Sequence, residues 1–398
     1  ELGDELHLRL DMEAGAVRGG TLGVGHPAQP VEEGVLRVSG HAALLQADEW
    51  LALAERYFGG LGSIWQTEPR LDESSVQDTS AAPGGAASPP RPQELASASL
   101  QVAVDNLRVD RVVIVSQELH NVLIDLVLDP ARWQLSLGTD WLRGDLGGAG
   151  EGTPLQLAVE YLDLDGLPDF KGADNGFNGS DSGSDSPWEL PKLNVDLSNI
   201  FQGEKRLGEL GFELFSESDV LTVEAVTGEL AALRLRTGKP GQLLWHQGAQ
   251  AFTEIKVHLD FEDLGQTLEY FDYQRIVETE SGTAEVDFRW PGGPQDFLLS
   301  AGQGTLQVQI GSGSFLDAPA GASGAVRVAS IFNLADIVQR LSLSNTFEAG
   351  IPFDSVQGEI EVQSGILTVA RMDVVGGSSF RFSGVSDLTA KTLDGQLV

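Results

Sequence analysis

The stretch IFNLADIVQRLSLSNTFEAGIPFDSVQGEIEVQSGILTVARMDVVGG, residues 331–377, changes period halfway along, and that change decides the fold class. Leu334, Ile337, Val338 and Leu341 recur at i, i+3, i+4 and i+7, the spacing of one apolar helix face, so a short helix is expected over 333–341. After Gly358 the period is two. Ile360 and Val362 point one way and Glu359 and Glu361 the other, Ser364-Gly365 supplies a turn, and Leu367 and Val369 resume the alternation. One side of such a sheet is greasy and the other is wet.

The same alternation runs through the whole chain. Leu6, Leu8 and Leu10 show it, as do Leu100, Val102 and Val104, then Val122, Ile124, Leu126 and Leu128, then Leu155, Leu157, Val159 and Tyr161, then Leu193, Val195 and Leu197. Val257, Leu259 and Phe261 continue it with Ile255, Val286 with Phe288, Leu306 with Val308 and Ile310, and Phe380 with Phe382. This is half-buried β-structure on a large scale. A faint repeat accompanies it: DVLTVEAVTGELAALRL around Leu221 to Val223 matches GILTVARMDVVGGSSFRF around Leu367 to Val369. Repeated β-units stack on their neighbours instead of collapsing into a globule. The expected fold is mainly β: an elongated, repetitive, curved antiparallel sheet forming a hydrophobic groove, with a few short amphipathic helices.

Composition narrows the function. Asp plus Glu number 59 against 25 Lys plus Arg, a formal net charge of -34. Such a field repels polyanions, and no basic stripe exists to displace counterions from phosphate, so no nucleic-acid partner is expected. Flat adsorption to an anionic bilayer is disfavoured for the same reason. Cysteine is absent, which excludes disulfides and thiol chemistry, while the 48 glycines mark a turn-rich chain. No uncharged apolar run is long enough to span a membrane, and the chain opens without a signal-type segment; we expect a piece of a longer protein whose anchor lies elsewhere.

Two polar segments interrupt the pattern. Residues 66–93 are rich in Ser, Ala, Pro and Gly, and 168–186 contain NGFNGSDSGSDS; both are expected to be disordered surface inserts. Asp174, Asn175, Asn178 and Asp181 do not fit the calcium-loop spacing. The expected division is therefore a groove segment over 1–65, an insert over 66–93, a second groove segment over 94–167, a polar loop over 168–187 and a C-terminal groove segment over 188–398. Short helices are expected at 48–58 and 264–271 as braces against the sheet. The glycine runs at 19–25 and 311–313 read as hairpin turns.

No catalytic constellation emerges. The six histidines form no close metal-ligand pair, no nucleophile elbow or phosphate-binding loop is present, and no pair of carboxylates is singled out. Neither an enzyme nor a cofactor is expected.

Trp290-Pro291-Gly292 with Pro294 and Asp296-Phe297, the F-N-L helix, Phe353-Asp354-Ser355-Val356 with Gly358, the G-I-L-T beginning at Gly365 and the D-L-T-A-K-T-L-D beginning at Asp387 together resemble the C-terminal part of the YhdP family of AsmA-like periplasmic proteins. Leu207-Gly208-Glu209-Leu210, Trp188 with Leu190-Pro191, and Asp48-Glu49-Trp50-Leu51 extend the resemblance over nearly the whole chain. It implies a Gram-negative periplasmic protein, anchored in the inner membrane outside these residues, that conducts phospholipid along a hydrophobic groove towards the outer membrane or a partner protein there.

Physical reasoning leads to the same expectation. Roughly 20 to 25 strands at ~4.8 Å would make an unclosed stack on the order of 100 Å long. An uncovered apolar face of that size exceeds what soluble proteins tolerate, so something apolar should fill it. A chain of about sixteen methylenes at ~0.8 kcal/mol each gains roughly 12 kcal/mol there, near what it loses on leaving a bilayer. The candidate lining is Leu100, Val102, Val104, Leu157, Val159, Val195, Val257, Leu259, Phe261, Val286, Phe288, Leu306, Val308, Ile310, Ile360, Val362, Leu367, Val369, Phe380 and Phe382, with phospholipid acyl chains as the partner. If instead a second layer covers these residues, they are ordinary sheet core. A scaffold or TamB-like chaperone that pairs outer-membrane proteins through exposed strand edges is the alternative. A carbohydrate-active β-domain is a third.

Overall fold

The computed structural model describes residues 5–47, 100–114, 117–129, 132–149, 153–167, 192–248, 250–316, 351–377, 379–390 and 392–398. The expected helices at 48–58 and 333–341 and both polar inserts lie outside these residues.

The chain divides into two units. In the first, Glu1–Thr153 with Pro168–Ser186, the strands β1 (Leu6–Glu13), β2 (Ala16–Val24), β3 (Val35–Gln46), β4 (Gln101–Ile114), β5 (Gln117–Leu128), β6 (Trp133–Gly138) and β7 (Leu142–Gly148) pair in chain order. The second, Pro154–Leu167 with Pro187–Val398, carries a longer run. It consists of β8 (Leu155–Asp163), β9 (Leu193–Gln202), β10 (Lys205–Glu217), β11 (Val220–Leu230), β12 (Leu233–Leu235), β13 (Gly241–His246), β14 (Phe252–Phe261), β16 (Gly282–Pro291), β17 (Gln303–Ile310), β20 (Ser355–Gln363), β21 (Ile366–Val375), β22 (Phe380–Asp387) and β23 (Thr392–Leu397). The short β12 and the longer β13 share the place between β11 and β14. A separate three-stranded sheet, β15 (Val277–Thr279), β18 (Gly313–Phe315) and β19 (Ile351–Phe353), lies beside the helix α1 (Leu264–Tyr270). The fold is mainly β, as the alternation requires, and α1 falls where the sequence places it.

The sheet is mixed, which corrects the expectation of an antiparallel one. β2–β3, β3–β4 and β8–β9 are parallel. Parallel neighbours need a crossover between them, and two of the three crossovers contain the polar inserts, which join β3 to β4 and β8 to β9. The inserts were thus the sequence trace of parallel pairing.

The glycines of 19–25 are not a hairpin turn either. Gly19, Gly20 and Gly23 lie within β2, where a Cβ on Gly19 or Gly23 would collide with the backbone carbonyl of Glu32 or His26. The short crossover from β2 to β3 rests directly on the strand, tied by the Thr21 hydroxyl donating to the Gln29 carbonyl at 2.7 Å. Likewise Gly311-Ser312 carries the chain from β17 in the long run to β18 in the small sheet, so no hairpin forms there.

The faint repeat has a structural counterpart. In β11, Leu221, Val223 and then Val226 follow one another on one face, the register shifting between Val223 and Val226. In β21, Leu367, Val369 and then Met372 do the same, with the shift between Val369 and Met372. Both L-T-V segments lead into an extra residue that bends the strand and resets its alternation.

Candidate apolar groove

Pairing registers place the apolar side chains of the second unit on one face without a break. Leu155 of β8 stands opposite Leu193 of β9, Leu193 opposite Leu214 of β10, Leu214 opposite Val223 of β11, and Val223 opposite Leu243 of β13. The row continues through Ile255, Phe288, Gly304, Val362, Leu367 and Ser386. Directly paired residues project to the same side, so this row is a track perpendicular to the strands, with a contour of roughly 45–50 Å at ~4.8 Å per strand. A neighbouring row runs Val257, Val286, Leu306, Ile360, Val369, and the next runs Leu259, Ala284, Val308, Gly358, Met372, Phe382. Leu157, Val159 and Val195 lie on the same side of β8 and β9.

On β14 and β16 the opposite face is charged: Glu254, Lys256 and Asp260 alternate with the apolar set on β14, and Asp287 and Arg289 do so on β16, while over β10 to β13 that face also carries Phe215, Thr222 and Leu244. Lys256 pairs with Asp287 at 2.9 Å, and that hydrogen-bonded carboxylate holds its ammonium pKa above the ordinary lysine range. Arg236 reaches Asp260 at 2.9 Å and Glu285 at 3.8 Å. The shallow hollow lined by Glu254, Asp287, Arg289, Gln303, Thr305, Glu361 and Gln363, with Gly304 and Val362, lies mainly on this polar side.

The apolar face is not uniform. Phe288, Trp290, Ile360, Val362, Leu367, Val369 and Phe382 are buried in one packed cluster, joined by Leu299 from the loop between β16 and β17. The W-P-G-x-P-x-D-F motif leads from β16 into that loop, and Trp290, Gly292, Asp296 and Phe297 each have a task in it. The Trp290 indole N–H donates to the Gly293 carbonyl at 2.9 Å, the Gly293 N–H donates to Asp296 at 2.7 Å, and Gly292 turns the chain at φ 88°. Phe297 then stacks edge-on against Trp290 at 5.2 Å. The motif is a hydrogen-bonded cap at one end of the strands. At their other end, Leu264 and Leu268 of α1 with Val277, Phe315 and Phe353 of the small sheet cover Ile310, Val356, Val374 and Phe380.

Across β8 to β13 the described residues form no such cluster. Leu155, Leu157, Leu193, Leu197, Leu214, Val223 and Leu243 are all half-buried, though Val159, Val195 and Ile200 are closed in. Val257, Leu259, Val286, Leu306 and Val308 are also half-buried. Two of the buried clusters draw on consecutive strands and short covering segments, whereas in the third the small sheet, through Val277, Phe315 and Phe353, packs over β17, β20 and β21.

In the first unit, Val102 and Val104 share a face with Leu36 and Val38 and are half-buried, while Leu100 immediately precedes β4 and is half-buried too. Val24, Ala42, Val109, Val112 and Val122 form the core there. At its edge, Leu6, Leu8, Leu10 and Met12 of β1 are 44–64 % exposed.

Phe261 and Phe288 do not stand up from the face. The Phe261 ring occupies the space a Cβ on Gly282 would need, and Phe288 does the same over Gly302 and Gly304. The sequence-derived lining omits Leu210, Phe212, Leu214, Leu221, Val223 and Leu243, although 210–214 and 221–223 keep the period of two; the pairing registers, reset by the extra residue of β11 after Val223, are what bring them onto the row.

The YhdP protein family profile matches residues 1–398, the whole chain. No curated protein and no solved structure matches it.

Proposed function

The chain belongs to the YhdP family, and on that footing we propose that it is a segment of a bridge-like conduit for phospholipid in the Gram-negative envelope. Acyl chains would lie on the apolar face while headgroups stay in water. The observation that carries this reading is the in-register apolar row from Leu155 to Leu367, half-buried over β8 to β13 with no facing sheet among the described residues.

Energetics fit a passive conductor. Successive positions along the row are Leu, Leu, Leu, Val, Leu and Ile, so an acyl chain moving from strand to strand exchanges one aliphatic contact for another. No catalytic step or cofactor is invoked. The charged face keeps the conduit soluble beside anionic lipid. No helix among the described residues is long and apolar enough to cross a membrane.

Photo-crosslinking tests the proposal. A benzophenone amino acid at Leu214 or Leu243 should capture phospholipid in a Gram-negative host, and the same group at Lys256 on the charged face should not. Equal labelling on both faces, or none at Leu214 and Leu243 in folded protein, would sink the reading.

The edge-pairing alternative has one observation of its own: the exposed apolar side chains of β1, a strand paired on one side among the described residues. It would show as capture of unfolded outer-membrane protein at Leu8 rather than lipid at Leu243.

A further inference from the structure

Helix α1 sits where the two parts of the apolar face meet, and its two ends are held by different partners. At its N-terminal end Asp263 caps the Gly265 N–H at 2.9 Å, the Leu264 N–H donates to Thr279 Oγ1 at 2.9 Å, and Arg275 binds Asp263 at 2.5 Å. Arg275 also reaches Glu278 at 3.3 Å and, in the last turn of the helix, Glu269 at 3.3 Å. Leu264 and Leu268 are packed into the sealed cluster with Ile310 and Phe353. The C-terminal end is held across the sheet by Lys205 of β10. Its ammonium donates to the carbonyls of Glu269 and Tyr270, both at 3.0 Å, lies 5.6 Å from the Tyr270 ring, and approaches Asp272 at 3.6 Å. Beyond that point Phe271 is more than half exposed, and Asp272 takes a left-handed φ of 57°.

β10 belongs to the half-buried stretch and Ile310 to the sealed one, so α1 reaches from one to the other. Resting on the conduit reading above, we infer that α1 is a latched strap over the apolar face, with Lys205 as the latch and the Asp263 cap with the packed Leu264 as the fixed end. A lipid is admitted or released at this boundary when the latch opens. The Lys205 ammonium adds to the Asp272 N–H, 3.2 Å from the Glu269 carbonyl, at a helix end where the intrahelical ladder runs out, so its loss frays the last turn first. The N-terminal end, capped by Asp263 and packed through Leu264, stays in place.

The sequence contains no cysteine, so introduced pairs react cleanly. In Lys205→Met, which keeps the aliphatic stem, amide exchange at Glu269 to Asp272 should accelerate about tenfold, the lower end of the scale for one lost charge-assisted hydrogen bond, while β20 and β21 are unaffected. Uptake of pyrene-labelled phosphatidylethanolamine from phosphatidylethanolamine vesicles should quicken in parallel. Conversely, bridging Lys205→Cys and Asp272→Cys with a short bis-maleimide should slow uptake several-fold relative to the unbridged pair. Equal uptake by bridged and unbridged protein, or unchanged exchange in Lys205→Met, overturns the strap and leaves the conduit standing. If neither they nor the parent chain takes up lipid, the conduit falls and the strap with it.

Discussion

β8 to β13 and β16 to β22 obey the same alternating pattern and share one apolar face, yet only the second stretch is sealed. In the sealed stretch, Ile360 is 4 % exposed and Leu367 3 %, under a loop cap at one end and a helix with a small sheet at the other. In the open stretch, Leu214, Val223 and Leu243 are half-buried, and no described segment packs over them as a cluster. Alternation therefore encodes which side of a strand is apolar, not what meets that side. The cover comes from other parts of the chain: the motif loop after Trp290, and α1 with β15, β18 and β19.

The contrast breaks most visibly under a charge. Ile360→Asp places an unpaired carboxylate in a closed core and should cost upwards of about 4 kcal/mol, enough to unfold a unit of ordinary stability. Leu243→Asp should keep the fold, because its carboxylate can reach water, and should abolish lipid capture at neighbouring positions. Circular dichroism with crosslinking separates the two. If Leu243→Asp unfolds the protein as thoroughly as Ile360→Asp, the open stretch is sealed after all.

Much of this was legible beforehand. Strand positions, α1 and the identity of the greasy side followed from period two and period 3.6, since those periods are the geometry of the elements themselves. Register across eleven strands was not legible, because each bulge adds a residue that no local pattern announces. Asn106, Asn121 and Ala225 take left-handed φ values of 49°, 53° and 54° within strands, and none carries a glycine's signature. Parallel pairing was hidden for a different reason: it is a property of the connection, and the connections read simply as polar inserts. Nor did alternation separate Phe288, Ile360 and Val369, which are buried, from Val257, Leu306 and Val308, which are half-buried.

Truncation sharpens the same contrast at smaller amplitude. Phe288→Ala empties a packed site in which the ring lies over Gly302 and Gly304, and should lose about 3–4 kcal/mol. Leu214→Ala, already half in contact with solvent, should lose roughly 1–1.5 kcal/mol. Chemical denaturation of both variants without lipid gives the comparison. Saturating lipid should enlarge the Leu214→Ala loss and leave the Phe288→Ala loss nearly unchanged, because only the first side chain would touch a ligand. Equal losses in both conditions would remove the distinction between the stretches.

Smallest of all, the two stretches should respond to opposite ends of the pH scale through their charged faces. In the sealed stretch, hydrogen bonds from Arg381 and Arg371 hold the Asp373 carboxyl below its ordinary pKa. A depressed folded value means its contribution is present above the unfolded carboxylate pKa and is lost as pH falls through the folded one. In the open stretch, the hydrogen bond from Lys192 to Glu213 raises the lysine pKa, so that contribution is complete below the unfolded lysine pKa and disappears as pH climbs through the folded value. These groups are solvent-exposed, and salt should weaken both effects. Amide exchange followed from acid to alkali should therefore show β21 and β22 loosening first on the acid side and β9 and β10 first on the alkaline side. Asp373→Asn should flatten the first response alone, and a single transition shared by all four strands would mean that the two stretches open as one cooperative body.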